Sequence, residues 1–162
     1  TSSPIMRPTT IIIPTLNEER YLPTLLASLL ACDHELEIIV VDGRSEDGTL
    51  HVVNGFGQQV PGYITIRAIT SERRNVSHQR NLGVQQATHD TIIFLDADTA
   101  IPSPTHLRQL LEHFHGGELA AASCRFLPLE PDWRANLYFG SLYRFHQLMA
   151  RLRKSLKVIP TR

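Results

Sequence analysis

Three apolar runs in this chain each end in polar, hydrogen-bonding residues and each precedes a stretch with helical spacing. That alternation constrains the fold more than any other feature. The runs are Thr10-Ile11-Ile12-Ile13-Pro14 leading into Thr15-Leu16-Asn17-Glu18, Glu37-Ile38-Ile39-Val40-Val41 leading into Asp42, and Ile92-Ile93-Phe94-Leu95 leading into Asp96-Ala97-Asp98-Thr99. The expected class is α/β, a Rossmann-like sandwich with a mainly parallel central sheet flanked by helices. Its carboxyl edge would gather the three polar ends into one nucleotide crevice.

The elements follow from periodicity. A first strand runs from Thr9 and is closed by Pro14. Tyr21, Leu22, Leu25, Leu26, Leu29 and Leu30 predict a helix starting at Asn17, with Glu18 and Glu19 in its first turn, facing the positive end of the dipole. Leu36 to Val41 reads as the second strand. After the turn Asp47-Gly48-Thr49 a shorter helix carries Leu50, Val52 and Val53 until Asn54-Gly55-Phe56-Gly57 breaks it. Tyr63 to Ile69 alternates as a third strand, Arg73 to Ala87 becomes helical in its later half, and Thr91 to Leu95 is a fourth strand. Pro102-Ser103-Pro104 opens a helix that Gly116-Gly117 stops, and Ala120 to Leu127 is a fifth strand.

With 162 residues, 42% hydrophobic and 20% charged, and zero formal net charge, the composition is that of an ordinary folded core and excludes a disordered or generally nucleic-acid-coating chain. No nucleic acid partner is expected. Cys32 and Cys124 are far apart and read as reduced, partly buried thiols, which fits a reducing compartment. There is no run of about 18 apolar residues to span a bilayer and no signal-peptide layout, so the expected location is the cytoplasm.

The zero net charge hides an asymmetry. No acidic residue follows Asp132, while Arg134, Arg144, Arg151, Arg153, Lys154, Lys157 and Arg162 do. Two organisational units are expected, a nucleotide-binding core over 1–132 and a basic amphipathic helical segment over 133–162. Two readings of residues 133–158 stand side by side: a core-packed helix with a solvated face, or a helix lying at an anionic membrane surface or beside a lipid-linked acceptor, which would make the protein peripheral at the membrane.

Asp96 and Asp98 carry the chemistry that the residues themselves suggest. Residues two apart on an extended segment point the same way, so both carboxylates are expected to converge on one divalent cation. Hard oxygen ligands suit Mg2+ or Mn2+, and such an ion could bridge a diphosphate.

Taken together, Pro14-Thr15-Leu16-Asn17-Glu18, Val41-Asp42-Gly43-Arg44-Ser45-Glu46-Asp47-Gly48-Thr49, Arg80-Asn81-Leu82-Gly83 and Phe94-Leu95-Asp96-Ala97-Asp98 resemble the family-two glycosyltransferases of the GT-A fold. The resemblance covers about Thr10 to Asp98 and thins after Ile101. It implies transfer of a sugar from a nucleoside diphosphate donor, UDP- or GDP-linked, to an unknown acceptor, with metal dependence and inversion at the anomeric carbon. By the same resemblance, Pro14, Thr15, Asn17 and Glu18 line the base and ribose pocket and Asp42 reads the nucleobase. Arg74 and Arg80 reach phosphate, Asp96 lies near ribose or a metal-bound water, and Asp98 ligates the metal. The turn after Asp42 is Gly43-Arg44, where many relatives carry Asp-Gly.

The family's general base belongs to a later acidic motif, and the only late carboxylates here are Glu130 and Asp132. Neither is assigned, so the catalytic base is left unnamed and the chain is expected to be the donor-binding part of a longer protein. Two alternatives remain beside this reading. A sugar-nucleotide nucleotidyltransferase would carry a glycine-rich phosphate loop after the first strand, where Pro14-Thr15-Leu16-Asn17-Glu18 has no glycine. A non-catalytic nucleotide-sugar-binding module would need no base.

Overall fold

Strand and helix alternate strictly along residues 7–116, which the computed structural model describes. The elements are β1 (Thr9–Thr15), α1 (Leu22–Leu30), β2 (Leu36–Asp42), α2 (Thr49–Gly57), β3 (Ile64–Thr70), α3 (Val76–Gln86), β4 (Thr91–Phe94) and α4 (Pro104–Gly116). They belong to the first of two compact units, Thr1–Glu118. The fifth strand expected over 120–127 and the basic segment over 133–158 lie outside the described residues, as do Cys124, Glu130 and Asp132. Among the described residues no helix is long and apolar enough to cross a membrane.

The strands form one sheet in the order β3-β2-β1-β4, every pair parallel. All residues of β1 and β2 are buried, as continuous β-branched runs in a sheet covered on both faces must be. Alternation sorts their side chains. Ile11, Ile13, Ile38 and Val40 pack with Leu22, Leu25, Leu26 and Leu29 of α1, Val53 of α2 and Leu107 and Leu111 of α4. Ile12, Ile39 and Val41 face the other way, onto Leu82 of α3. A doubly wound sandwich results, as expected.

Pro14 sits inside β1 and does not close it. Amides and carbonyls of alternate strand residues address the same neighbour. The Ile12 carbonyl accepts the Leu95 amide at 3.1 Å, on the β4 side, and the Thr15 carbonyl accepts the Gly43 amide at 2.8 Å, on the β2 side. The missing amide hydrogen of Pro14 therefore points toward β4, whose pairing with β1 has already ended at Ile12 opposite Phe94. The proline costs no ladder bond there.

Three element boundaries depart from the sequence expectation. α1 begins at Leu22 instead of Asn17, because Asn17 takes φ 59°, a left-handed conformation that a right-handed helix cannot contain; Glu18 and Glu19 consequently lie in the loop. α2 continues through Asn54-Gly55-Phe56-Gly57. A helical glycine costs about 1 kcal/mol, less than the burial that Val53 and Phe56 gain against the core. α3 begins already at Val76, ahead of the later half of 73–87, because the Asn75 side chain caps it by accepting the His78 amide at 2.9 Å.

At the amino end of the sheet, Glu37 is 5% exposed and ties four parts together. Its carboxylate accepts from the Thr10 hydroxyl at 2.7 Å, from the Thr88 amide and hydroxyl at 2.9 Å each, and from Arg67 at 3.3 Å. Burial opposes its ionisation, but the bonds from Thr88, Thr10 and Arg67 outweigh it and hold the carboxyl below its usual range. Cys32 is a free, buried thiol whose pKa is raised by burial, a structural and unreactive cysteine.

Candidate functional site

The strand order places a topological switch point between β1 and β4, since β2 and β3 extend the sheet on one side of β1 and β4 lies on the other. Open α/β sheets bind ligands outside the carboxyl ends at such a point. A cavity of about 340 Å³ lies here, lined by Pro14, Thr15, Leu16 and Glu18 after β1, Arg74, Val76 and Gln79 from α3 and the loop before it, and Asp96, Ala97 and Asp98 after β4.

Two loops are laced together to build one wall. The Asn17 amide donates to the Ser45 hydroxyl at 2.9 Å, and the Asn17 side-chain oxygen accepts the Glu46 amide at 2.8 Å. One residue on, the Glu18 amide donates to the Thr49 hydroxyl at 2.9 Å; next, the Glu19 amide donates to Asp47 at 3.1 Å and the Glu19 carboxylate accepts the Gly48 amide at 3.0 Å. A Cβ at Gly48 would stand 2.5 Å from the Glu19 carboxylate and would push it off the Gly48 amide. Burial disfavours the charge on Asp47, yet hydrogen bonds from the hydroxyl and amide of Thr49 and the amide of Glu19 prevail and hold its carboxyl below the usual range. The register of this lacing presents Glu18 to the cavity.

Asp42, expected to read the nucleobase, is fully buried and does not line the cavity. Its oxygens accept the Ser45 hydroxyl at 2.5 Å and the Ser45 amide at 3.0 Å, with the Thr15 hydroxyl at 3.4 Å. It clamps the turn in which Arg44 takes φ 65°, a conformation costing a bulky residue about 1 kcal/mol. Asn17 likewise braces loops instead of lining the cavity.

The acidic pair converges, but not by strand alternation. β4 ends at Phe94, and the chain turns at Asp96, whose carbonyl accepts the Thr99 amide at 3.1 Å and the Thr99 hydroxyl at 2.6 Å. The turn, and not an extended run, brings both carboxylates to the cavity. Glu18 joins them electrostatically: burial first, then the charges of Asp98, Asp47 and Asp96, push its carboxyl above the usual value. Among the described residues no group of three or more His, Cys, Asp or Glu is already arranged to hold a metal ion.

The arginines differ in placement. Arg74 lines the cavity and pairs with Glu46 at 2.5 Å while donating to the Arg44 carbonyl at 3.1 Å. Arg80 does not line it; one guanidinium nitrogen holds Asp96 at 2.7 Å, its Nε is buried without a partner, and the group lies 5.9 Å above the Phe94 ring. Sequence reasoning missed Gln79. Its Nε2 donates to the Thr15 carbonyl at 2.8 Å and the Val41 carbonyl at 2.7 Å, stapling β1 to β2 beneath the cavity. A lone glutamine on a helix carries no sequence signal; only its position beside Arg80 could have drawn notice.

Comparison with known proteins bears on the family and the fold. The chain is 38% identical over 90 residues to an uncharacterized glycosyltransferase, YfnE, of Bacillus subtilis, a match covering 54% of this chain and 22% of the relative. It is 33% identical over 107 residues to a dolichyl N-acetyl-alpha-D-glucosaminyl phosphate 3-beta-D-2,3-diacetamido-2,3-dideoxy-beta-D-glucuronosyltransferase of Methanococcus voltae, covering 64% of this chain and 33% of the relative. The chain thus spans a third or less of these two relatives. Among solved structures, the mannosyltransferase PcManGT from Pyrobaculum calidifontis, in complex with GDP-Man and Mn2+, superposes with TM-score 0.63 at 27% identity, covering 70% of this chain and 34% of that one. TarS 1-349 of S. aureus gives TM-score 0.60 at 25% identity, covering 75% and 38% respectively. The model of glycosyl transferase family 2 matches residues 10–159, and the chain belongs to that family.

Proposed function

We propose that the cavity at the ends of β1 and β4 binds a UDP- or GDP-linked sugar together with Mg2+ or Mn2+, and that the protein transfers the sugar to an acceptor with inversion at the anomeric carbon. The observation that carries this reading is the convergence of Glu18, Asp96 and Asp98 with Arg74 on one cavity at the switch point. Support for the donor class comes from the relatives, since PcManGT is seen with GDP-Man and Mn2+ and TarS with UDP.

The donor set fits a hard divalent cation. Behind burial, the charges of Asp98, Asp47 and Asp96 hold the Glu18 carboxyl above its usual range, a cost that a cation beside Asp96 and Asp98 relieves, and Mg2+ characteristically takes one or two carboxylates plus the substrate's phosphates. When bound, such a cation supplies Lewis-acid stabilisation of charge on the departing nucleotide.

The chain's own residues do the remaining positioning. Asp98 offers its carboxylate to the cation, and Asp96 is held in place for it by Arg80. The Arg74–Glu46 pair leaves 49% and 75% of the two side chains exposed, and an ion pair so solvated is worth about 1 kcal/mol at most. Arg74 is therefore readily released to a phosphate, which it can bind through two parallel bonds. Pro14, Thr15 and Glu18 form the wall on which the nucleoside rests.

Titration calorimetry of UDP and GDP tests this, with Mn2+ or with chelator. Tight binding of one nucleotide with Mn2+ is expected, at least about tenfold weaker in chelator and equally weak in Asp98→Ala under both conditions. Equal binding with and without the metal would reject the assignment of Asp98.

A further inference from the structure

Arg74 reaches the cavity already engaged. Its Nη2 donates to the Arg44 carbonyl at 3.1 Å and to a Glu46 carboxylate oxygen at 2.5 Å, which commits both hydrogens of that nitrogen to the loop after β2. The two acceptors are held differently. The Arg44 carbonyl belongs to a turn that Asp42 clamps through Ser45. The Glu46 carboxylate belongs to a side chain that is 75% exposed, on a residue whose amide donates to the Asn17 side-chain oxygen at 2.8 Å. That carboxylate can leave Arg74 without disturbing the lacing of the loops.

A carboxylate oxygen meets a guanidinium in the way a phosphate oxygen does, as an anionic acceptor of a charge-assisted hydrogen bond. In the free protein Glu46 thus fills a place on Arg74 that the reading above gives to the diphosphate. Arg80 makes the contrast plain. It pairs with Asp96, a carboxylate of the cavity itself, and so orients a group meant for the cation. Glu46 does not line the cavity, and its contact only occupies the guanidinium.

We propose that Glu46 is an internal competitor of the donor's diphosphate for Arg74, an autoinhibitory contact that opens before the phosphates are bound through that guanidinium. The inference deepens the nucleoside diphosphate reading of this cavity and rests on it. Both partners are well solvated, so the contact tunes the site and does not close it: its effect on nucleotide affinity stays within about fivefold.

The test is calorimetry with Mn2+ and whichever of UDP and GDP binds, comparing the unmodified chain with Glu46→Ala, and Arg74→Gln with the double variant. The backbone bond from residue 46 to Asn17 is kept throughout. Glu46→Ala is expected to tighten binding about three- to fivefold when Arg74 is present. In Arg74→Gln the same change should give at most about 1.5-fold, the long-range repulsion that salt leaves unscreened. Should Arg74→Gln bind too weakly to titrate, Glu72→Gln serves as the control, because Glu72 is an exposed carboxylate in the loop of Arg74 and is not paired with it; it should change affinity by at most about 1.5-fold. Unchanged or weaker binding in Glu46→Ala overturns the competitor role and leaves the nucleotide site standing. An equal gain without Arg74, or from Glu72→Gln, overturns it too, by showing general repulsion. Absence of binding by both nucleotides in the unmodified chain and in Glu46→Ala overturns the site reading and the competition together.

Discussion

Gly83 shows how one residue can set the spacing between a helix and the sheet beneath the site. It lies in α3 directly over β1, and a Cβ added there would meet Ile12 Cγ2 at 2.5 Å and two further Ile12 carbons at 3.2 Å. Two effects compete in Gly83→Ala. Helix propensity favours alanine by about 1 kcal/mol, while overpacking a filled interface costs about 1–3 kcal/mol, and a 2.5 Å carbon contact belongs at the upper end of that cost. The substitution is expected to destabilise the chain, read as a lower urea midpoint at unchanged slope; a raised midpoint would show that α3 can lift off β1 freely. The glycine itself stood in the sequence pattern Arg80-Asn81-Leu82-Gly83, but its reason, a close approach to Ile12, could not be read there. The same holds for Asp42 and Gln79. Chain order shows which polar residues follow a strand, not which of them are consumed by neighbours, so the acceptor that looked available is buried and one that looked ordinary lines the cavity.

At the level of elements, the strands were legible because they are buried on both faces and therefore spell unbroken apolar runs. Helix beginnings were less so, because they depend on loop bonding that pairs distant residues. The lacing of 17–19 against 45–49 is the clearest case: it forces Asn17 into a left-handed conformation and delays α1 by a turn. Thr49 is its hub, accepting from the Glu18 amide at 2.9 Å and donating to Asp47 at 2.5 Å. Thr49→Val keeps the shape and removes both bonds, leaving the Glu18 amide without its acceptor, while the Asp47 oxygen keeps only the amide of residue 49 at 3.0 Å. A loss of about 1–3 kcal/mol is expected, with faster hydrogen exchange at the Glu18 amide and weaker Mn2+-dependent UDP binding, since Glu18 is presented by this lacing. Unchanged exchange at that amide would mean that the two loops are held by other contacts.

Across the whole described unit, the two ends of the sheet handle charge in opposite ways. The carboxyl edge brings Glu18, Asp96 and Asp98 to one cavity, where burial and the neighbouring charges hold the Glu18 carboxyl above its usual range, an arrangement that suits an incoming cation. The amino end surrounds Glu37 with four hydrogen bonds contributed by β1, β3 and the loop before β4, so one carboxylate joins most of the sheet. The lowered pKa of Glu37 means that the unfolded chain binds its proton more readily than the folded one. The associated stability is fully present above the unfolded value, near 4.5, and is lost as the pH falls through the folded value below it. His34 adds to the same acid limb: burial holds its pKa below the usual 6.5, so unfolding is increasingly favoured as the pH drops below that value and the exposed imidazole can charge. Glu37→Gln separates the two. At pH 7 it turns an amide NH2 toward donors already present at Thr10 or Thr88, a cost of about 1–3 kcal/mol, while the His34 contribution is untouched. Urea unfolding of both proteins from pH 7 downward should therefore show a gap that is constant above the ordinary carboxylate range and closes beneath it, as Glu37 itself becomes protonated. A gap that persists unchanged through the acid limb would mean that Glu37 contributes through shape alone, and that the charge on the central strand is not what binds this end of the sheet together.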